Sequence, residues 1–210
     1  MRNPSEINVL IACEESQTVC KAFRALGFNA FSCDIIPCSG GHPEWHIKTD
    51  ALEAIQMPWH LIIGHPPCTY LSKAGARWLY PKGKLNITRA KKGVLAKAFF
   101  MKIRNANCDY IALENPIPQE IYRMPKPTQI IQPWQFGHKH QKATGLWLKN
   151  LPRLKPTDIV DKGEFVRYPA TGHKHSKWFM QGNARSRSKT FSGIADAMAR
   201  QWGDFIINNV

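Results

Sequence analysis

The stretch LIIGHPPCTYL, residues 61–71, combines the pattern of a buried strand with a cysteine that could be reactive. Its first residues are apolar and mostly branched, which predicts a strand buried on both faces of a parallel sheet. The run then stops at His65, two prolines and Cys68. The prolines alone would make a turn. A packing cysteine would belong inside the apolar run, so the place of Cys68 raises the question of whether this thiol packs or reacts.

The rest of the chain alternates between strand and helix signals. Besides residues 59–64, strands are predicted at residues 7–12, 29–34, 109–114 and 142–148, and helices at residues 16–26, 88–103 and 193–207. Residues 72–84 and 150–187 are polar, basic and rich in Gly or Pro, which predicts loops. Strands that alternate with helices predict an α/β sheet that binds ligands at the carboxyl ends of its strands.

Length and composition predict one soluble globular domain over residues 1–210. Hydrophobic residues make up 43% of the chain and charged residues 21%. No run of 18 apolar residues predicts a membrane span, and the first residues do not resemble a signal peptide. We therefore expect a cytoplasmic protein whose six cysteines are reduced. None of them forms a Cys-x-x-Cys pair, which disfavours a zinc or redox site.

The formal net charge is +14, which favours a polyanionic partner, most often a nucleic acid. Residues 139–189 carry twelve Lys and Arg but three acids. Four aromatic residues are interleaved with these charges: Trp147, Tyr168, Trp178 and Phe179. This pattern predicts that residues 150–190 form a basic, loop-rich insertion that contacts nucleic acid. A merely solvated basic surface is the alternative.

Three predicted strand ends carry reactive or polar groups: Asp34, Cys68 and the Glu114-Asn115-Pro116 triplet. The carboxyl ends of parallel strands meet at one edge of a sheet, so these groups should converge. A cysteine beside a carboxylate at such an edge suits nucleophilic catalysis. We expect partial exposure, a following helix and basic surroundings to lower the pKa of the Cys68 thiol.

Other interpretations of these residues stay open. Cys68 could be a buried small hydrophobe, or the nucleophile of a Cys-His hydrolase with His65 as its base. The His-Lys-His pairs at residues 138–140 and 173–175 could be metal ligands, phosphate contacts or plain surface. Asp34 and Asp50 could simply cap helices.

Six motifs in a fixed order carry a family resemblance. They are ACE (12–14), HPPCTYL (65–71), ENP (114–116), QIIQPWQFG (129–137), KATGLWLK (142–149) and GIADAMARQWG (193–203). With them the chain resembles the cytosine-5 DNA methyltransferases, and more closely their short phage and prophage members. The resemblance spans nearly the whole chain. It implies a Rossmann-like S-adenosylmethionine-dependent methyltransferase fold with a mostly parallel central sheet, helices on both faces and a reduced target-recognition region.

The resemblance also implies catalytic roles. The family's Pro-Cys cysteine, here Cys68, attacks carbon 6 of a cytosine flipped out of the duplex, and Pro67 aims it. The family's Glu-Asn-Pro glutamate, here Glu114, binds the Watson–Crick edge of the base, and Asn115 shapes the pocket beneath it. Carbon 5 then accepts the methyl group, and S-adenosylhomocysteine is the product. No metal is expected.

The implied cofactor is S-adenosylmethionine, with Asp34 on the ribose hydroxyls and Asp50 on the adenine amine. The implied cofactor-binding residues are Ala12, Cys13, Glu14, Ser16, Asp34, Ile35, Asp50, Pro66, Ser192 and Gly193. The implied macromolecular partner is double-stranded DNA. Its phosphates would be bound by Arg185, Arg187 and Lys189.

The chain departs from the larger methyltransferases at three places. The glycine-rich first turn is replaced by CEESQ. Both arginines of the Gln-x-Arg-x-Arg element, which contacts the target base and phosphate, are absent. Lys142 and Thr144 stand near its place and would substitute in binding the substrate DNA. Residues 151–185 are too few for a full target-recognition domain, which implies a short target site or help from a homodimer or another partner. The alternatives are another cytosine substrate such as RNA or a nucleotide, a modified donor, or a non-catalytic nucleic-acid-binding protein on this scaffold.

Overall fold

The computed structural model describes residues 2–167, 172, 174–180 and 183–210. Nine strands are described: β1 (Asn8–Ala12), β2 (Asn29–Asp34), β3 (His46–Lys48), β4 (Leu61–Gly64), β5 (Tyr110–Pro116), β6 (Gln129–Ile131), β7 (Thr144–Lys149), β8 (Phe165–Arg167) and β9 (Lys174–Ser176). Six α-helices are described: α1 (Thr18–Ala25), α2 (Ala51–Ala54), α3 (Ala76–Leu79), α4 (Ile87–Arg104), α5 (Ala184–Ser188) and α6 (Ser192–Ile207).

Seven of these strands form one mixed, mostly parallel sheet in the order β3-β2-β1-β4-β5-β7-β6. β1 to β5 pair in parallel, whereas β7 runs antiparallel to both β5 and β6. This order, with β7 as the reversed strand, is typical of the S-adenosylmethionine-dependent methyltransferase fold. The predicted α/β fold is confirmed.

Helices cover both faces of the sheet, because the central strands are apolar on both sides. On one face Ile11 and its neighbours pack against Phe23 of α1 and Trp202 of α6. On the other face Leu10 packs in a cluster with Phe100 of α4 and small residues of α2. Successive residues of β1 therefore serve opposite cores, as the period of two in a strand requires.

The structure corrects several predicted boundaries. The strand expected to end at Glu114 continues to Pro116, because β7 pairs with it that far. The three-residue strands β3 and β6 are absent from the sequence-based prediction, since elements so short show no periodicity. The predicted loop at residues 72–84 contains α3, and the predicted loop at residues 150–187 contains β8, β9 and α5.

The strand register fixes which residues meet at the carboxyl edge. Gly64, the last residue of β4, pairs with Leu113 of β5 and with Ala12 of β1. The residues that follow in the two strands, His65 and Glu114, are therefore neighbours. No helix within the described residues is long and apolar enough to cross a membrane.

We expect Trp202→Ala to destabilise the fold strongly. Its indole is fully buried in the core below α6 and donates a hydrogen bond of 2.9 Å to the Pro152 carbonyl. Loss of a buried aromatic side chain costs about 3–5 kcal/mol. Trp78→Ala is the matched control, because this indole is 57% exposed. Urea unfolding should show a much lower midpoint for Trp202→Ala only, and equal midpoints would contradict this packing.

Candidate active site

The Pro-Pro-Cys turn is tied to the Glu-Asn-Pro strand end. The Asn115 side-chain amide donates a hydrogen bond of 2.7 Å to the Pro66 carbonyl. The contact continues along both segments through two backbone hydrogen bonds, Gln119 N to Leu71 O (2.8 Å) and Lys73 N to Ile117 O (3.0 Å). Cys68 and Glu114 are close enough that the carboxylate affects the thiol electrostatically. The structure thus brings together two predicted catalytic residues that are 46 positions apart in sequence.

His65 and Glu114 form a buried pair. His65 Nδ1 lies 2.9 Å from Glu114 Oε2, and the two side chains are only 11% and 10% exposed. Burial alone would raise the pKa of Glu114, but the hydrogen bond from His65 and the positive charge of Lys142 outweigh it and lower the pKa. Burial alone would lower the pKa of His65, but its bond to Glu114 raises it. Both directions favour an imidazolium–carboxylate pair.

The pKa of the Cys68 thiol is raised, so the expected lowering is wrong. Burial is the largest cause and the negative charge of Glu114 the second, whereas Lys142 alone among nearby charges opposes them. The chain after Cys68 also makes a 3-10 turn before the four-residue helix α3, so no long helix points its amino terminus at the sulfur. Cys68 is therefore predominantly a thiol at neutral pH.

A small pocket of about 10 Å³, room for about one water molecule, lies beside this pair. It is lined by Glu114, Lys142, Thr144, Thr190, Phe191 and Ile194. Lys142 Nζ donates to the Arg187 carbonyl at 3.0 Å and lies 5.9 Å from the centroid of the Phe191 ring. Charged, polar and apolar side chains thus line the same small pocket.

Two buried polar atoms near Glu114 lack partners among the described residues: His65 Nε2 and Asn115 Oδ1. Buried polar atoms are nearly always hydrogen-bonded in native proteins. These atoms can therefore serve a bound molecule or ordered water. This corner therefore has hydrogen-bonding atoms that the contacts among the described residues leave without partners.

A second cluster of predicted site residues lies at the ends of β1 and β2. Ala12 ends β1, and Cys13 follows it with a positive φ of 60°. Burial raises the pKa of Cys13, and the negative charges of Asp34 and Asp50 add to this effect, so both carboxylates lie near the thiol. These residues, unlike Cys68 and Glu114, form a corner toward the β2 side of the sheet.

Asp34 and Asp50 each use one carboxylate oxygen locally. Asp34 Oδ1 accepts from the Ile36 amide at 3.2 Å, in a turn rather than a helix cap. Asp50 Oδ1 accepts from the Leu52 amide at 2.8 Å and caps α2, so the capping alternative holds for Asp50. The Oδ2 atoms have no hydrogen bond within the described chain. Between the two carboxylates in sequence, Ile35 is 70% exposed.

Glu14 and Ser16 are engaged with the start of α1. The Glu14 carboxylate accepts from the Val19 and Cys20 amides at 2.7 and 3.1 Å. It thus satisfies amides that the helix itself leaves without partners. Burial raises the pKa of Glu14 despite these bonds. Ser16 Oγ lies 3.1 Å from the Thr18 hydroxyl.

Ser192 and Gly193 begin α6 beside the pocket of Glu114. His138 Nε2 accepts from the Gly193 amide at 3.0 Å and lies 3.4 Å from Ser192 Oγ. A side chain at position 193 would collide with the Phe136 carbonyl, so this close approach requires glycine. His138 therefore has a helix-capping contact. No cluster of three metal-ligating side chains occurs in the described part, and His173 and the His175 side chain lie outside it.

The predicted phosphate-binding residues lie partly on the surface. Lys189 is exposed and Arg187 half-buried. Tyr168 and the side chains of Arg185 and Phe179 lie outside the described residues. Two lysines of residues 139–189 form surface ion pairs: Lys139 with Asp161 (2.9 Å) and Lys177 with Glu164 (2.6 Å). Part of the counted positive charge is thus neutralised locally.

Two features of the site escape sequence reasoning. The first is the contact between His65 and Glu114. The sequence interpretation considers His65 as the base of a Cys-His hydrolase and not as a partner of Glu114, although the pairing of Gly64 with Leu113 predicts that the residues after them meet. The second feature is residues 54–108, which contain no acid. Their basic residues are Lys73, Arg77, Lys82, Lys84, Arg89, Lys91, Lys92, Lys97, Lys102 and Arg104. Arg89 joins this segment to the loop after Cys68, because its Nη2 donates to the Thr69 carbonyl at 2.7 Å.

We expect Glu114→Gln to speed alkylation of Cys68 at neutral pH several-fold, and Lys142→Met to slow it. The first change removes a negative charge that raises the thiol pKa, and the second removes the positive charge that lowers it. Iodoacetamide labelling followed by peptide mass mapping measures the rate at Cys68. Cys38, which is also partly exposed, is the internal control and should label equally in all variants. Unchanged labelling of Cys68 would contradict the electrostatic contact.

No family model matches the chain, and no curated protein matches it in sequence. Among solved structures, the chain is similar to a protein described as a DNA modification methyltransferase encoded within an E. coli prophage. That likeness has 17% identity and a TM-score of 0.45 over 74% of this chain and 52% of the other. The methyltransferase EhMeth of Entamoeba histolytica is similar with 12% identity and a TM-score of 0.46, over 73% of this chain and 57% of the other. The chain thus spans just over half the length of each.

Proposed function

We propose that this protein transfers a methyl group from S-adenosylmethionine to carbon 5 of cytosine in DNA. The fold supports a methyltransferase, since it has the strand order typical of that class. One observation carries the choice of chemistry: the Asn115–Pro66 hydrogen bond holds the turn that bears Cys68 against the strand end that bears Glu114. A nucleophile and a carboxyl group on opposite edges of one base are what attack on cytosine requires.

Cys68 is the nucleophile in this proposal. Carbon 6 of cytosine is unreachable inside a base stack, so the base must leave the duplex, and the small pocket beside Glu114 must widen to admit it. The S–H proton passes to water as the S–C6 bond forms. Lys142 is the nearby cation that stabilises the thiolate. The raised pKa of Cys68 keeps the sulfur in its less reactive form before substrate enters.

Glu114 binds the Watson–Crick edge of the flipped base. As the S–C6 bond forms, the electron pair of the C5–C6 double bond moves toward carbon 4, and negative charge develops at ring nitrogen 3. A proton held by the Glu114 carboxyl group at that nitrogen prevents the build-up of charge. Asn115 supports the wall below the base, and Thr144 lines the pocket. Carbon 5 then loses its proton to water, and the sulfur departs as a thiolate that regains a proton from water, which restores Cys68.

The cluster at the ends of β1 and β2 fits the cofactor. S-adenosylmethionine, when bound, supplies its methyl group as an electrophile. The free carboxylate oxygens of Asp34 and Asp50 suit ribose hydroxyls and an adenine amine, both of which are hydrogen-bond donors. The exposed Ile35 side chain offers an apolar surface for the adenine ring. Ala12 links this cluster to the Cys68 turn, because its carbonyl accepts a hydrogen bond of 2.9 Å from the His65 amide. Cys13 and Pro66 directly follow the two residues of this bond.

The charge distribution supports DNA as the substrate. The acid-free segment 54–108 contains Cys68. It is a second basic region of the chain, in addition to residues 139–189. Tyr70, two residues after Cys68, has Arg89 and Lys92 within 5.0 and 5.6 Å of its ring centroid. Positive charge this close to the nucleophile matches a phosphate backbone that approaches with the flipped base. A free nucleotide needs far less of it.

We assign the methyltransferase unit to residues 1–210, with residues 150–190 as a DNA-contacting insertion. The described part of this insertion has short elements: the β8–β9 hairpin and the five-residue helix α5. Elements of this size offer few side chains to base edges, whereas phosphate contacts need only positive charge. Recognition of a short target site follows from this size.

We expect the protein to form a covalent adduct with duplex DNA in which 5-fluorocytosine replaces every cytosine of one strand. Fluorine cannot leave carbon 5 as a proton does, so the enzyme stays attached after methyl transfer. Full replacement removes the need to know the target site. A denaturing gel of protein, DNA and S-adenosylmethionine should show the adduct for wild type and for Cys38→Ala, and none for Cys68→Ala. Glu114→Gln should slow its formation by about 10²- to 10⁴-fold.

Two results would contradict this function. If no duplex gave an adduct while RNA or cytosine nucleotides were methylated, the substrate would be RNA or a nucleotide and not DNA. Methylation of DNA by Cys68→Ala at the wild-type rate would remove Cys68 from the reaction.

We also expect the acid-free segment to contribute to DNA affinity. Lys91 and Lys92 are exposed on α4. Lys91→Ala/Lys92→Ala should weaken binding to duplexes of any sequence and lower the slope of log K against log salt concentration by about 1 for each phosphate that is no longer neutralised. Fluorescence anisotropy at several salt concentrations measures the slope. Arg200→Ala, an exposed change more than two turns into α6, should leave it unaltered, and an unaltered slope in the double variant would exclude this surface.

A further inference from the structure

His65 lies where a proton can be passed to the base-binding carboxylate. Its Nδ1 is 2.9 Å from Glu114 Oε2, at the end of the strand that carries Cys68. Its Nε2 is buried and has no partner in the described chain. Glu114 is therefore the one described side chain with which the ring exchanges a hydrogen bond. A ring used only for packing would not need this contact with a buried acid.

We propose that His65 is the positioning residue that holds the proton which Glu114 delivers to ring nitrogen 3 of the target cytosine. This inference rests on the proposed function and adds a proton source to it. Glu114 has no proton of its own to donate near neutral pH, since its hydrogen bond with His65 and the charge of Lys142 hold the carboxyl group ionised. An imidazolium in contact with it supplies the missing proton at the site of use.

Each proton that moves in this step has a donor and an acceptor. Before the base enters, His65 is protonated, Glu114 is ionised and Cys68 is a thiol, whose proton passes to water as the S–C6 bond forms. The incoming base presents nitrogen 3 as an acceptor to the carboxyl group, which draws the shared proton from Nδ1 to Glu114. As the S–C6 bond forms, nitrogen 3 takes that proton, which leaves a neutral imidazole beside a carboxylate. When sulfur departs, the proton returns from nitrogen 3 to the pair.

The charged groups around His65 support this assignment. Glu114 on β5 and Glu14 after β1 both favour the imidazolium, whereas Lys142, just before β7, disfavours it. Burial also opposes the charge, but the carboxylates prevail and the pKa of His65 is raised. Cys68, on the same loop as His65, responds to the same Glu114 and Lys142 charges. The proton held by His65 and the reactivity of Cys68 are therefore coupled.

The test compares the rate of adduct formation on 5-fluorocytosine DNA across pH for wild type and His65→Asn. The asparagine amide can still donate a hydrogen bond from near the Nδ1 position, but its N–H protons are too weakly acidic to be transferred to Glu114. The wild-type rate should fall at high pH as His65 loses its proton. His65→Asn should lower the rate about tenfold or more and abolish that alkaline limb. His42→Asn is the matched control, because His42 forms an exposed 3.0 Å pair with Glu44.

A second measurement does not depend on activity. Titration of the His65 ring by NMR, assigned by its loss in His65→Asn, should give a pKa above the ordinary 6.5, and Glu114→Gln should lower it. A wild-type rate and pH profile in folded His65→Asn would overturn the proposal, as would a His65 pKa at or below 6.5. If the wild type forms no adduct with DNA, the proposed substrate fails separately, and the titration still decides whether the pair holds a proton.

Discussion

The pairing of Gly64 with Leu113 is the constraint on which the site depends. This register ends β4 and continues β5 so that His65 and Glu114 project side by side on the face covered by α1 and α6. A slip of one residue would send Glu114 to the opposite face, where α4 packs. Such a slip would also exchange Ala112 and Leu113 between two differently packed cores, and close-packed cores do not tolerate such changes of volume. The positions of the site residues are thus fixed by the packing of the hydrophobic core rather than by the loops.

Burial of charge at this edge is costly, and the structure offsets that cost with specific partners. An isolated buried carboxylate is unfavourable unless it is paired and hydrogen-bonded. Glu114 has His65, Glu14 has two amides of α1, and Asn115 holds the Pro66 carbonyl. These contacts join β5 to the turn after β4, and the end of β1 to α1, at the point where the apolar contacts of the strands end.

Much of this arrangement follows from sequence. Apolar runs predicted the central strands, and strand ends predicted that Cys68 and Glu114 would converge, because parallel strands share an edge. The state of the thiol did not follow, since burial and the sign of the nearest charge depend on side-chain placement that spacing does not encode. The same limit applies to His65, whose contact requires the register of two strands. Asp50 illustrates a further limit: one residue type serves equally as a helix cap and as a ligand.

The raised pKa of Cys68 fits the proposed chemistry once His65 is included. Glu114 is a cause of the raised value, and its effect requires the carboxylate charge. When a base draws the proton of His65 onto Glu114, that charge disappears beside the sulfur, and the lowering effect of Lys142 is then opposed only by burial. Binding of the correct base would therefore activate the thiol that attacks it. A cysteine held in this way reacts slowly with electrophiles in solution and becomes a strong nucleophile when its substrate occupies the pocket.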